Sequence, residues 1–162
     1  MDRGAGKKSQ GELGFEGLRF YELGLELLKA AYRLADKMPV YEKYNLADQL
    51  RRAAVSVTLN IAEGYGRYHY LDRIRFFYIA RGSLNETLSA FISAHAVGYA
   101  DEELLSWVRS TATEAEMALN GYIGFIYKQK QGQEAFGNKY IREDIVEYPV
   151  LGMSDKGLGI RG

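Results

Sequence analysis

Few side chains in this sequence could carry out acid–base, nucleophilic or metal chemistry. The chain has two histidines, His69 and His95, and no cysteine, so neither a thiolate nucleophile nor a cysteine-based zinc site can form. Neither histidine lies in an HExxH motif or in a Glu-x-x-His pair of the kind that holds two metal ions inside a helical bundle. We therefore expect no metal and no cofactor, and we interpret His95 as a half-buried structural side chain.

Other catalytic patterns are also missing from the sequence. The serines of the apolar stretches, such as Ser56, are not flanked by the glycines of a GxSxG nucleophile elbow. Neighbouring acids such as Glu114 and Glu116 are two residues apart, so on a helix they would not share a face. The sequence therefore predicts no catalytic residues and a protein that is not an enzyme.

The most distinctive chemistry lies between residues 51 and 81, where arginines and tyrosines are interleaved. This window contains only two acids, Glu63 and Asp72, against six arginines. The arginines are Arg51, Arg52, Arg67, Arg73, Arg75 and Arg81. Arginine beside tyrosine suits phosphate contact and base stacking, and it suits protein interfaces equally well. Both interpretations stay open, because the acidic segment 101–116 could also receive the basic face of another copy.

The overall composition indicates the class of protein. With 162 residues, of which 47% are hydrophobic, the chain can close a single core. Basic and acidic residues number 21 each, so a nucleic-acid surface would have to come from local clustering. The polar N-terminus lacks the apolar core of a secretory signal, and no uncharged apolar run reaches the roughly 18 residues needed to cross a membrane. We expect a cytoplasmic protein without membrane contact.

Apolar residues recur at helical spacing in four segments. The segments are about 15–37, 42–65, 72–98 and 101–130. Pro39 ends the first, Gly98 can end the third, and the Asp101 side chain can cap the fourth. Because the linkers are short, consecutive helices should be antiparallel neighbours. The predicted fold is all-α, an antiparallel up-down-up-down four-helix bundle.

The apolar lines of these segments predict which side chains face the core. The first line consists of Leu18, Tyr21, Leu25, Leu28, Tyr32 and Ala35. The second consists of Leu46, Leu50, Ala53, Val57, Asn60 and Gly64, so that Asn60 is expected inside the seam. Arg81 falls inside the third line. The bundle should span 15–130, between a flexible N-terminal segment at 1–14 and a Gly-rich tail at 131–162, in which the more apolar stretch 140–150 could dock on the bundle or on a partner.

Three stretches of the chain resemble a known family. They are LRRAAVSVTLNIAEGYGR (50–67), FFYIARGSLNETLSA (76–90) and LRFYELGLELLKAAYRL (18–34), and together they resemble the four-helix-bundle proteins encoded by intervening sequences in bacterial 23S ribosomal RNA genes. The resemblance implies a homopentameric ring of antiparallel bundles. A related branch, the accessory variability determinant of diversity-generating retroelements, implies binding to nucleic acid and to a reverse transcriptase.

The resemblance also implies roles for single residues. The expected structural or interface residues are Asn60, Glu63, Gly64 and Tyr65. Asn60 would fix the register between helices, and Glu63 would pair either with Arg67 or with an arginine of a neighbouring chain. The six arginines are the expected nucleic-acid contacts. Two departures from the family pattern are Thr58, where many members carry proline, and the Tyr68-His69-Tyr70 loop. The expected function is a non-enzymatic oligomeric scaffold that binds structured RNA or DNA, and the alternative is a structural or protein-interaction oligomer without nucleic-acid affinity.

Overall fold

The computed structural model describes residues 14–137 of the chain, and within them every regular element is a helix. Four long helices and one short one follow each other: α1 (Arg19–Lys37), α2 (Leu46–Gly66), α3 (Tyr70–Ala96), α4 (Glu102–Gln129) and α5 (Gln133–Phe136). Single 3-10 turns lie at Gly14–Gly17 and Val40–Glu42. The predicted all-α class is therefore confirmed, whereas the stretch 140–150 and nearly all of the segment 1–14 lie outside the described residues.

The four long helices pack around one apolar core. Each packs against the next helix along the chain, and α1 also packs against α4, which closes the bundle. The largest fully buried apolar side chains are Phe77, Phe91, Leu27, Leu50, Ile61, Leu119 and Ile126. None of the helices in the described part of the chain is long and apolar enough to cross a membrane.

Helix starts differ from the predicted ones where a side chain or a 3-10 turn decides them. The predicted first helix is interrupted, because Gly14–Gly17 forms a 3-10 turn before α1 begins. α2 begins at Leu46, whose N–H donates to Glu42 Oε2 at 3.2 Å. Asp101 Oδ1 accepts the N–H of Leu104 at 2.8 Å, which confirms the predicted cap of α4.

The predicted apolar line of α1 lies at the edge of the core: Ala35 is buried, and Leu18, Tyr21 and Leu28 pack half-buried against the core. The core side of α1 consists of Phe20, Leu23, Leu27, Ala30, Ala31, Leu34 and Ala35. Tyr32, which the sequence placed on the core side, is 45% exposed. α1 carries two apolar lines next to each other, and periodicity alone does not tell which of them faces the other helices. Arg81 of α3 likewise lies at the edge, where Ala80 and Leu84 occupy the core.

Hydrogen bonds join the two turns at one end of the bundle. The hydroxyl groups of Tyr41, in the α1–α2 turn, and Tyr99, in the α3–α4 turn, are 2.9 Å apart, and Tyr99 also donates to Glu42 Oε1 at 3.1 Å. The bond to Tyr41 is the main cause that raises the pKa of Tyr99. Nearby, Gly98 has a φ of +88°, as expected for a glycine that ends a helix. His95 is half-buried, as predicted, and its Nε2 lies 3.2 Å from Glu102 Oε2. We call this the Tyr99 end.

The opposite end holds the turn between α2 and α3 and the C-terminal end of α4. His69 is fully buried there, and its Nδ1 accepts the N–H of Leu71 at 3.2 Å, which makes it the N-cap of α3. This cap explains why α3 begins at Tyr70, two residues before the predicted start. We call this the His69 end.

Candidate nucleic-acid interface

The six predicted arginines do not form one surface. Arg51 and Arg52 lie in the first half of α2, toward the Tyr99 end, and Arg51 donates to the carbonyl of Lys43 at 3.4 Å. Arg67 follows the last residue of α2 at the His69 end. With a rise of about 1.5 Å per helical residue, roughly 24 Å separate Arg51 from Arg67. The charge cluster of the sequence is therefore divided between the two ends.

Arg73 is packed inside the bundle. Arg73 is only 8% exposed. Its Nη2–H donates to the Tyr122 hydroxyl at 3.2 Å, and its Nη1–H donates to Gln131 Oε1 at 3.5 Å. The guanidinium also lies 5.7 Å from the centre of the Tyr65 ring. Its Nε–H has no hydrogen-bond partner among the described residues, and none of their carboxylates forms an ion pair with it. Arg73 therefore joins α3 to α4 and is not exposed to a phosphate backbone.

The other arginines differ in how far they are engaged. Arg67 forms the predicted ion pair with Glu63 and lies 4.9 Å above the Phe76 ring. Arg81 donates to Asn120 Oδ1 at 2.9 Å, so it contributes to the α3–α4 contact. Arg52 is 3.5 Å from Asp48 and its side chain is 74% exposed.

Two lysines that the sequence analysis missed lie at the His69 end. Lys128 and Lys130 come at the end of α4, which meets the α2–α3 turn through the N–H of Tyr70 and the carbonyl of Gln131, 3.0 Å apart. Both lysines line an open concavity of about 500 Å³, together with Tyr68. Tertiary contact thus adds cations to the end that also carries the exposed Arg75.

Exposed aromatic rings accompany these cations. Tyr68 and Tyr127 are both more than half exposed, and Lys130 lies 5.9 Å from the centre of the Tyr127 ring. An exposed ring beside a cation can stack on a base while the cation contacts a phosphate. The basic residues of the last turn of helix 4 were visible in the sequence, but no sequence signal places them beside residues 67–75.

His69 also holds the chain that follows α4. Its Nε2–H donates to the carbonyl of Gly137 at 3.1 Å, and its ring lies 6.3 Å from that of Phe136. Gly132, with a φ of +88°, packs so closely that a Cβ there would lie 3.2 Å from the imidazole. Residues 131–137, which the sequence assigned to the tail, are therefore packed against the bundle.

Two of the predicted structural residues, Gly64 and Asn60, lie on the side of α2 that faces α3. Gly64 is buried, and a Cβ added to it would lie 2.8 Å from Phe77 Cε1. Asn60 is half-buried beside the core rather than inside the seam, because it is about 100° around the helix from the buried Ile61. Its Nδ2 donates to the carbonyl and the hydroxyl of Ser56, at 2.8 Å and 3.0 Å.

A polar bridge and an aromatic contact complete this part of the site. The Ser56 and Ser83 hydroxyl groups are 2.7 Å apart, so Asn60 is linked to α3 through Ser56. Tyr65 packs its ring against Phe15 with ring centres 6.1 Å apart. Across residues 14–137, no three histidine, aspartate or glutamate side chains lie close enough together to hold a metal ion.

Four long helices packed around one apolar core define an all-α helical-bundle protein. The family model described as 23S rRNA-intervening sequence protein matches residues 16–121. The chain belongs to this family, which confirms the resemblance seen in the sequence.

A solved structure supports the fold. The chain is 23% identical to a protein of unknown function from the S23 ribosomal protein family of Bacteroides thetaiotaomicron, with a TM-score of 0.58. The similarity covers 64% of this chain and 97% of that protein, and at this identity it is evidence for the fold alone. No curated protein matches the chain.

Proposed function

We propose that this protein is a non-enzymatic oligomeric scaffold that binds nucleic acid at its His69 end. The observation that carries the proposal is the group of exposed cations and rings brought together there from two distant parts of the chain. One concavity is lined by Tyr68, Lys128 and Lys130. Tyr127 lies beside Lys130, and Arg75 is exposed near the start of α3, at the same end of the bundle. This assignment replaces the six-arginine cluster as the proposed contact surface, with Arg75 as the arginine common to both.

The proposal includes an antiparallel up-down-up-down arrangement of the helices. Supporting contacts join the start of one helix to the end of a neighbouring helix. The ring of Phe20 at the start of α1 is 5.4 Å from that of Tyr122 near the end of α4, and Phe15, just before α1, contacts Tyr65 at the end of α2. The ring of five copies and the reverse-transcriptase partner follow from the family resemblance and remain predictions.

Local charge at the His69 end sets the expected strength of binding. Arg67 is paired with Glu63 and Arg73 is buried, so three exposed cations remain against Asp72 and Glu134. Three phosphate contacts on duplex DNA predict that log K falls with log salt with a slope of about −3, and a single strand predicts about −2. We therefore expect moderate, salt-sensitive binding, with structured RNA preferred where its loops offer unpaired bases to the tyrosines.

The test is fluorescence anisotropy with a labelled hairpin RNA and a duplex DNA across a salt series. The variant Lys128→Ala/Lys130→Ala should weaken binding about tenfold and reduce the salt slope by about 2. The matched control is Arg51→Ala/Arg52→Ala, which removes two cations at the Tyr99 end and should leave binding unchanged. Absence of binding at low salt, or equal loss in both double variants, would contradict the proposed surface.

A protein-interaction oligomer without nucleic-acid affinity is the second candidate. It is favoured by Leu59, which is 63% exposed in the middle of a long helix. Leu59 has the half-buried Val55 and Ala62 beside it on the same face of α2, and a contiguous exposed apolar patch, unlike a single exposed side chain, marks a contact surface.

A further inference from the structure

The outer face of α2 carries a second apolar line, on the side opposite the core. Its members recur at spacings of three and four, which places them on one side of the helix. Its apolar residues are Val55, Leu59 and Ala62, with Asp48 and Arg52 before them and Gly66 after them at the same spacing, and Glu63 lies next to Ala62. Leu50, Val57 and Ile61, on the opposite side, are buried in the core. α2 is thus apolar in the middle of both faces, although only one of them meets the other helices of its own bundle.

Leu59 forms a ridge between two hollows on this face. One hollow, of about 380 Å³, is lined by Val55, Ser56 and Tyr32 among others. The other, of about 660 Å³, is lined by Ala62, Gly66 and neighbouring charged residues. When a ridge and a hollow lie one helical turn apart on the same helix, the ridge of each molecule can enter the hollow of the other. This self-complementarity is the condition for a two-fold contact.

The charges on the outer face are also self-complementary. Asp48 and Arg52 lie toward its start, and Glu63 and Arg67 lie at its end. If a second α2 runs in the opposite direction, centred between Val57 and Thr58, Arg52 lies opposite Glu63 of the second copy. Asp48 then lies opposite Arg67 of the second copy.

The apolar residues fit the same register. Leu59 then lies opposite the small Ser56 of the second copy, next to the hollow that Ser56 lines. The Asp48–Arg52 and Glu63–Arg67 pairs that each chain already forms would join into one network across the contact. Apolar residues in the middle with complementary charges at both ends are typical of paired helices.

We propose that the outer face of α2 binds the same face of a second copy of this chain, with the two helices antiparallel about a two-fold axis. This inference rests on the proposed assembly of several copies but not on nucleic-acid binding. A two-fold contact joins copies in pairs, so a ring of five would need an additional surface.

Sedimentation equilibrium of the full chain over a range of concentrations tests the contact. Leu59→Glu should raise the dissociation constant at least about tenfold, because it places an unpaired charge in the centre of the contact. Met117→Glu is the matched control: Met117 is 70% exposed on α4, outside the proposed contact, and its replacement should leave association unchanged. Circular dichroism of each variant checks that the helices are intact.

Charge reversal tests the register. Arg52→Glu and Glu63→Arg should each weaken association about tenfold, because each places like charges opposite one another, and the double variant should restore it to within about threefold. Since the chain has no cysteine, Ser56→Cys should give a covalent dimer with a short bismaleimide, whereas Ser110→Cys on α4 should not.

Three results would overturn the contact: a monomer at all concentrations, association unaffected by Leu59→Glu, or failure of the double variant to recover. Association that survives Leu59→Glu would refute this surface while leaving the proposed assembly intact. Nucleic-acid binding is read separately by anisotropy, so its failure is distinguishable from failure of the contact.

Discussion

At the scale of single residues, close packing limits several positions more strongly than any chemistry does. Gly64 is the clearest case, because α3 approaches α2 so closely that Phe77 and Phe76 occupy the space of a side chain. Arg73 illustrates another constraint. It is a buried cation held by a hydroxyl, an amide and a ring rather than by a carboxylate of the described chain. Changing it would alter the bundle as well as the charge, so it is unsuitable for testing nucleic-acid binding.

Gly64→Ala should destabilise the protein by about 1–2 kcal/mol. The added Cβ would lie 2.8 Å from Phe77 Cε1 and 3.0 Å from Phe76 Cβ, and the cost of overpacking exceeds the gain in helix propensity. Gly82→Ala is the matched control: nothing lies within 4 Å of its added Cβ, so stability should rise by about 0.5–1 kcal/mol. Urea unfolding measures both, and a stabilised Gly64→Ala variant would show that the α2–α3 contact is looser than described.

At the scale of elements, the segment after α4 is as informative as the four long helices. α5 and the turn before it pack on the α2–α3 turn. His69 in this turn contacts both the start of α3 and the segment that follows α4. One ring nitrogen caps α3 and the other donates to Gly137. The same imidazole thus sets the start of a helix and holds a segment that is more than 60 residues later in the chain.

Substitutions of His69 should separate these two roles. Asparagine is a good N-cap, so His69→Asn should keep a bond to Leu71 and lose the one to Gly137, at a cost of about 1 kcal/mol. His69→Ala should lose both, at about 2–3 kcal/mol. Hydrogen exchange should accelerate at the amides of 131–137 in both variants, but at Leu71 only in His69→Ala. Unchanged exchange at 131–137 would mean that the segment is held without His69.

At the scale of the whole molecule, a chain with balanced charge presents different surfaces at different places. The His69 end carries exposed cations and tyrosines, whereas the middle of α2 is apolar outside as well as inside. Binding to an anionic partner and association between copies would therefore use separate surfaces. This separation makes each testable without disturbing the other.

The melting temperature should rise with protein concentration. Association stabilises the folded state by mass action, so an increase from about 1 µM to 100 µM should raise the melting temperature by a few degrees. Leu59→Glu should reduce this dependence, and Met117→Glu should leave it unchanged. Differential scanning fluorimetry at several concentrations measures the effect, and a melting temperature independent of concentration in the unchanged protein would contradict assembly.

Local interactions made much of the fold predictable. The four helices, the Asp101 cap, the glycine that ends α3 and the Glu63–Arg67 pair depend on residues at most four apart, and these spacings can be read directly along the chain. The family could be recognised for a related reason, because its most specific residues are consecutive in α2.

What only the tertiary structure decided depends on contacts between residues far apart along the chain, such as Arg73 and Tyr122, which are 49 positions apart. It determined which of two apolar lines on α1 faces the core, and it buried Arg73 against Tyr122 and Gln131. It also placed the arginines of one sequence cluster at opposite ends of α2, and it brought Lys128 and Lys130 to the His69 end. A single sequence carries helix periodicity but not the angle at which each helix meets its neighbours, and that angle decides which charges are exposed together.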